Sequence, residues 1–191
     1  MSAESRGLGK SVKESIVATV QGVGEITDAV VNTVSGSLVH AVQRTGKMGV
    51  ALTGAIAEVV RGVVQGVTEI GADLGSAAKG IVIGVLRGTQ EVGGEALEAA
   101  RATAAAVVKS TAEVGGDLGA AAKGAIEGAI VGAKALGLSA EETASAAATG
   151  ALKAAGEIGA AAAARVRTAV TGTIAGVRVV LKEPFRSRKE K

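Results

Sequence analysis

The residues able to do chemistry in this chain are few and badly placed for it. His40 is the one histidine and there is no cysteine, so a single copy builds no His-based metal cluster, no thiolate site and no Ser-His-Asp triad. A lone histidine in an amphipathic helix is a surface residue. Gly7-Leu8-Gly9-Lys10-Ser11 imitates the end of a phosphate-cradling loop. That pattern requires a glycine where Glu4 stands and a strand upstream. Neither is present, and the match is a coincidence. Asp and Glu are spread at regular intervals along a charged face, where paired acid–base work has no concave pocket. The expectation is a protein that is not an enzyme, with no cofactor, no metal and no small-molecule substrate.

The elements that carry these residues explain the dispersal. Among 191 residues there is one aromatic (Phe185), two Met and no Trp or Tyr, beside 29 glycines and one proline. Aromatic side chains dominate ordinary core energetics, so the helices of this chain meet through thin, small-residue contacts or form an extended molecule. Mean hydropathy is +0.39, yet charges interrupt throughout. The longest uncharged run, Ala29 to Gln43, includes Asn32, Ser35, Ser37 and His40. A spanning helix needs about 20 predominantly apolar residues, so no transmembrane segment is expected. The polar start, Met1 to Lys10, shows no signal-peptide core. The expected location is cytoplasmic, soluble or peripherally attached to a surface.

An internal period governs the chain. Gly49, Gly71, Gly93, Gly115, Gly137 and Gly159 stand 22 residues apart, and pairs such as Glu69-Ile70, Glu91-Val92 and Glu113-Val114 repeat in step. Eight units run from Ser5 to Val180. An 11-residue subperiod gives about 3.67 residues per turn. On a wheel of eleven columns all charges between Lys10 and Glu183 except Arg44, Glu141 and Arg165 share five adjacent columns. The opposite half is an apolar stripe that includes Val20, Val34, Leu38, Val42, Leu52, Ile56, Val60, Val64, Val67 and Leu86. The charges are sorted by sign as well. Lys13, Lys79, Arg101, Lys123, Lys134, Arg167 and Arg178 form a basic edge, and Glu14, Glu58, Glu69, Glu91, Glu113 and Glu157 belong to an acidic one.

The fold class expected from this pattern is all-α: eight tandem 22-residue amphipathic repeats forming long helices, with no β-sheet. Breaks are signalled near Gly71, Gly93, Gly115 and Gly137. Asp73, Asp117 and Ser139 follow three of them as N-caps, and Ser139 with Glu142 makes a capping box. The organisation reads as a flexible N-terminus (1–9), a helical repeat region (10–183) and a basic tail (184–191). Glycine inside a helix costs about 1 kcal/mol relative to alanine. Helicity must therefore come from burial, against other helices, other copies or an apolar surface. Gly80-Gly84-Gly88 and Gly124-Gly128-Gly132 permit close backbone approach.

Gly62-Val-Val-Gln-Gly-Val-Thr and Gly88-Thr-Gln-Glu-Val resemble the 11- and 22-residue amphipathic repeats of perilipins, synucleins and exchangeable apolipoproteins. The resemblance implies a non-catalytic coat on a lipid-like surface, a membrane or a storage granule. A glycine opens the unit where apolipoproteins often have proline, and two features depart further. Basic residues line one edge where apolipoproteins tend to have them on both, and the Ala-rich stretch Ala144 to Ala164 would grip lipid weakly. They leave open the alternative of a soluble, self-assembling helical scaffold or filament, packed as a homo-oligomer through glycine columns and sign-sorted edges. Nucleic acid is the weaker partner, because net charge is only +3 and aromatics for base stacking are lacking.

Overall fold

In a computed structural model the described residues are 3–20, 26–45 and 49–181. They form eight helices and a terminal hairpin: α1 (Ala3–Val20), α2 (Ile26–Thr45), α3 (Gly49–Glu69), α4 (Leu74–Glu91), α5 (Ala96–Glu113), α6 (Leu118–Ala135), α7 (Ala140–Ile158), α8 (Ala160–Val170), β1 (Gly172–Ile174) and β2 (Val177–Val179). Helix α1 starts at Ala3, inside the stretch 1–9 assigned above to a flexible terminus.

Four turns share one construction. Gly71, Gly93, Gly115 and Gly137 adopt positive φ, between 67° and 73°, which glycine reaches without a Cβ clash. Each begins a Schellman motif. Gly93 N–H donates to the Gln90 carbonyl at 3.1 Å and Gly94 N–H to Thr89 at 2.8 Å; the other three turns repeat both bonds. Two residues past each glycine comes the next N-cap. Asp73 accepts from the Ser76 amide at 2.6 Å, Asp117 from Gly119 and Ala120 at 2.8 and 3.1 Å, and Ser139 from Glu142 at 3.3 Å. Glu95 holds the same place with no side-chain cap bond, its extra methylene carrying the carboxylate past the amides. The turn thus closes one helix and opens the next within four residues.

Turns this short, on helices of 18 residues spanning about 27 Å, reverse the chain. A helix therefore runs parallel to its next-but-one neighbour. The packing divides accordingly into two layers, α1-α3-α5-α7 and α2-α4-α6-α8, with the closest backbone approaches, at Gly62, Gly124, Gly128 and Gly150, inside a layer. Within a layer glycine sets the separation. A Cβ at Gly62 would collide with the Gly9 carbonyl, one at Gly124 with Gly75, one at Gly128 with Lys79 and one at Gly150 with Arg101. At Gly80 and Gly84 it would stand 2.7 and 2.8 Å from the carbonyls of Thr27 and Val31. Contact partners lie 53 residues apart in the first half and 49 in the second. The change of four residues is about one helical turn, so the same faces meet in both halves.

The apolar stripe is the interior of this stack. Val34, Leu38, Val42, Ile56, Val60, Val64, Val67 and Leu86 are all buried, and Leu52 is half-buried. Helices α1 to α4 bury mainly Val, Ile and Leu. In α7 the buried set is Ala144, Ala147, Ala148, Ala151, Ala154 and Ala155, with small polar residues between. α4 is enclosed on three sides. Of its residues from Ala77 to Thr89 only Lys79 and Arg87 keep substantial exposure.

The stack is not wholly helical, contrary to the expectation of no β-sheet and of helix as far as residue 183. After Val170 the chain makes an antiparallel hairpin pairing Gly172 with Val179 and Ile174 with Val177. Ala175 and Gly176 both take positive φ, 47° and 78°, as a two-residue primed turn requires. β-branched side chains alternate across it, so Ile174 and Val179 are buried against the end of the stack while Thr173 and Arg178 face out. The Val180 amide donates to Ser145 Oγ of α7 at 3.3 Å. Local β-propensity prevails here over the helical period.

Two predictions follow from the glycine contacts and the caps. Gly128→Ala should destabilise by about 1–3 kcal/mol through overpacking, whereas Gly156→Ala, whose added methyl meets nothing within 4 Å, should stabilise by up to about 1 kcal/mol. Opposite signs in thermal melts check the packing. Glu95→Asp should supply the missing cap and raise Tm by about 2 °C.

Candidate functional site

No group of three or more His, Asp or Glu residues suited to a metal occurs among the described residues, and His40 is exposed on α2. No described helix is long and apolar enough to cross a membrane. What the surface offers is two charged faces, one per layer.

The odd-numbered layer carries a ladder of ion pairs between parallel helices. Lys13 of α1 meets Glu69 of α3 at 2.5 Å, Arg61 of α3 meets Glu113 of α5 at 3.2 Å, and Lys109 of α5 meets Glu157 of α7 at 2.7 Å. Each acid stands in the last turn of its helix, where the macrodipole disfavours negative charge. A cation from the preceding odd helix offsets that. Lys10–Glu14 and Arg101–Glu98 add pairs within α1 and α5. Both signs interleave along this face, and each pair, exposed to solvent, contributes little to stability.

The even-numbered layer is different. Its outer stripes carry Lys79 and Arg87 on α4, Lys123 and Lys134 on α6, and Arg165 and Arg167 on α8, against Asp28, Glu91 and Glu127. Lys79, Arg87, Lys123 and Lys134 make no ion pair among the described residues. A shallow groove of about 330 Å³ crosses this face, lined by Thr27, Asp28 and Val31 of α2, by Lys79, Ile83 and Arg87 of α4, and by Val131 and Ala135 of α6.

The residues singled out in the sequence are therefore distributed as follows. The basic column does not form one edge. Lys13 and Arg101 lie in the odd layer, Lys79, Lys123, Lys134 and Arg167 in the even layer, and Arg178 is exposed on the hairpin. Gly71, Gly93, Gly115 and Gly137 are turn residues with open space where a Cβ would stand, and Gly159, at φ 152°, joins α7 directly to α8. The glycines in close contact are others, such as Gly62, Gly124, Gly128 and Gly150. The surroundings of Val20 and Gly49, and the tail 184–191, lie outside the described residues. Arg61, Lys109 and Arg87 were not singled out. The first two pair with acids on the next odd helix, a relation that the 22-residue column does not display.

Two carboxyls are held below the usual range. Glu157 is lowered first by its hydrogen bond from Lys109 and then by that ammonium's charge. Asp73 is lowered chiefly by the Ser76 amide and hydroxyl. A depressed carboxyl contributes stability that is present above its unfolded pKa and is lost as pH falls through the folded one. Melting temperature should accordingly fall as pH drops through and below the ordinary carboxylate range. In Lys109→Gln the Glu157 titration, followed by carboxyl NMR, should move up toward its usual value, with a smaller movement in Lys153→Gln. No protein-family model matches the chain, and no curated protein matches it in sequence.

Proposed function

We propose that the protein is a non-catalytic helical scaffold: a tandem array of eight 22-residue amphipathic units that folds upon itself and works through its outer faces. The observation that carries this reading is the position of the stripe. Val34, Leu38, Ile56, Val60, Val64, Val67 and Leu86 are covered by the chain's own helices. The even recurrence of turns at Gly71, Gly93, Gly115 and Gly137 supports the tandem reading. In repeat arrays the terminal units need polar or otherwise covered outer surfaces. Here the hairpin covers the C-terminal end, and α1 turns Lys10, Ser11, Glu14 and Ser15 to solvent. Growth by end-to-end stacking is therefore disfavoured. Homo-oligomerisation runs sideways in this proposal, through the odd face, where acids and cations interleave.

A coat formed by laying the same stripe on lipid is the competing reading. It requires the layers to separate and exchange glycine-spaced helix contacts for acyl chains. Helix content in plain buffer distinguishes the two. The scaffold should show strong helical circular dichroism and a cooperative melt without lipid, with sedimentation reporting a compact particle of several copies. A disordered monomer that gains helix only on vesicles would remove the scaffold reading in favour of the coat.

A further inference from the structure

The even-numbered face combines three observations that the scaffold reading does not use. Its cations Lys79, Arg87, Lys123 and Lys134 lack ion-pair partners among the described residues. An apolar residue stands open beside them: Val131, 40% exposed, lies between Glu127 and Lys134 on the outer stripe of α6, two turns past Lys123. The groove between α2 and α6 has Ile83 on its floor, flanked by Lys79 and Arg87 one turn to either side. We propose that this face docks the folded protein on an anionic lipid surface, the lipid phosphates meeting these cations while Val131 settles among the headgroups.

Charge complementarity selects the occupant. Juxtamembrane cations are attracted to anionic leaflets within a Debye length, and four cations without ion-pair partners among the described residues stand on two adjacent helices. A second copy fits less well. Of the acids that its odd face would offer, Glu14, Glu69, Glu98, Glu113 and Glu157 already hold cations of their own chain, and the exposed Glu141 and Glu142 sit together at one end of α7. Nucleic acid also fits less well. The apolar members of the face are Val and Ile, with no aromatic side chain on which a base stacks. The sequence beyond Leu181 adds Lys182, Arg186, Arg188, Lys189 and Lys191 against Glu183 and Glu190, charge of the same sign. This mode rests on the stripe remaining the chain's own core. It is the reverse of the coat reading, because attachment leaves the helices as they are.

The test is flotation of the full chain with vesicles of phosphatidylcholine alone and of phosphatidylcholine with phosphatidylglycerol, with circular dichroism on both. The expected result is binding to the anionic vesicles only, released by molar salt, with helix content unchanged. Lys79→Glu, Arg87→Glu and Lys123→Glu together should weaken binding by roughly 100-fold. The same charge change on the odd face, Lys10→Glu, Arg101→Glu and Lys153→Glu, should cost only a few-fold. Replacing Lys79, Arg87 and Lys123 by Gln gives a milder variant should the reversal disturb folding, and thermal melts establish that each variant is folded. Equal losses from the two triple variants, binding to pure phosphatidylcholine, or displacement from anionic vesicles by duplex DNA at equal phosphate would each overturn the proposal. Helix that appears only on vesicles would overturn the scaffold reading itself. A protein helical in buffer that ignores anionic vesicles would overturn the docking alone.

Discussion

Everything in this fold depends on how closely parallel helices approach within a layer. At Gly62, Gly124, Gly128 and Gly150 one backbone rests on the carbonyl of another, and any side chain at those places would hold the pair apart. Contact at that distance replaces the large side chains the chain lacks. Dispersion grows with the number of atoms at van der Waals separation, not with the size of any one residue. Interdigitated Ala and Gly surfaces therefore make a dense core without aromatics. The unfavourable helix propensity of glycine is offset by the neighbour it admits.

The turns make the repetition of that contact possible. A Schellman glycine, one spacer and an N-cap reverse the chain in four residues, which returns every second helix to the same end and the same rotation. Leu52 and Leu74 show how tightly the register is held. They press on Gly94 and Gly116, the residues after the turn glycines of the next helix in their layer. At the equivalent places of the following pair the sizes are exchanged, Ala96 and Leu138. The column therefore does not keep one residue size along the chain, and Leu138 stands exposed where Gly94 and Gly116 lie against leucines.

The helices, the four glycine breaks and the caps at Asp73, Asp117 and Ser139 could be read from the residues because each is a local signal. The tertiary partners could not. A 22-residue column keeps the same phase in one long rod and in a folded stack, so it is silent on whether the stripe meets lipid, another copy or its own chain. Lys109 and Glu157 occupy different columns, and only the return of every second helix brings them together. The hairpin is hidden for the opposite reason. Thr173, Ile174, Val177 and Val179 around Ala175-Gly176 are a legible strand–turn–strand signal, but the 22-residue period runs on across them.

The two faces differ in how their charges are met: the odd layer pairs acids with cations across helices, whereas Lys79, Arg87, Lys123 and Lys134 of the even layer make no ion pair among the described residues. In the odd layer the acids at the ends of α3, α5 and α7 reach cations on the helix before. In the even layer the corresponding end of α4 carries Glu91, but α6 ends in Ala135 and α8 is short. The ladder therefore has no counterpart there. The acids of this face, Asp28, Glu91 and Glu127, make no ion pair with its cations among the described residues, and the side chains of Arg87, Lys123 and Lys134 stand on the outer surface, away from the core. A surface free of structural duty in this way is where partner recognition can vary independently of stability. The glycines and the stripe fix the stack, and substitutions on the even face can change its charge without touching either.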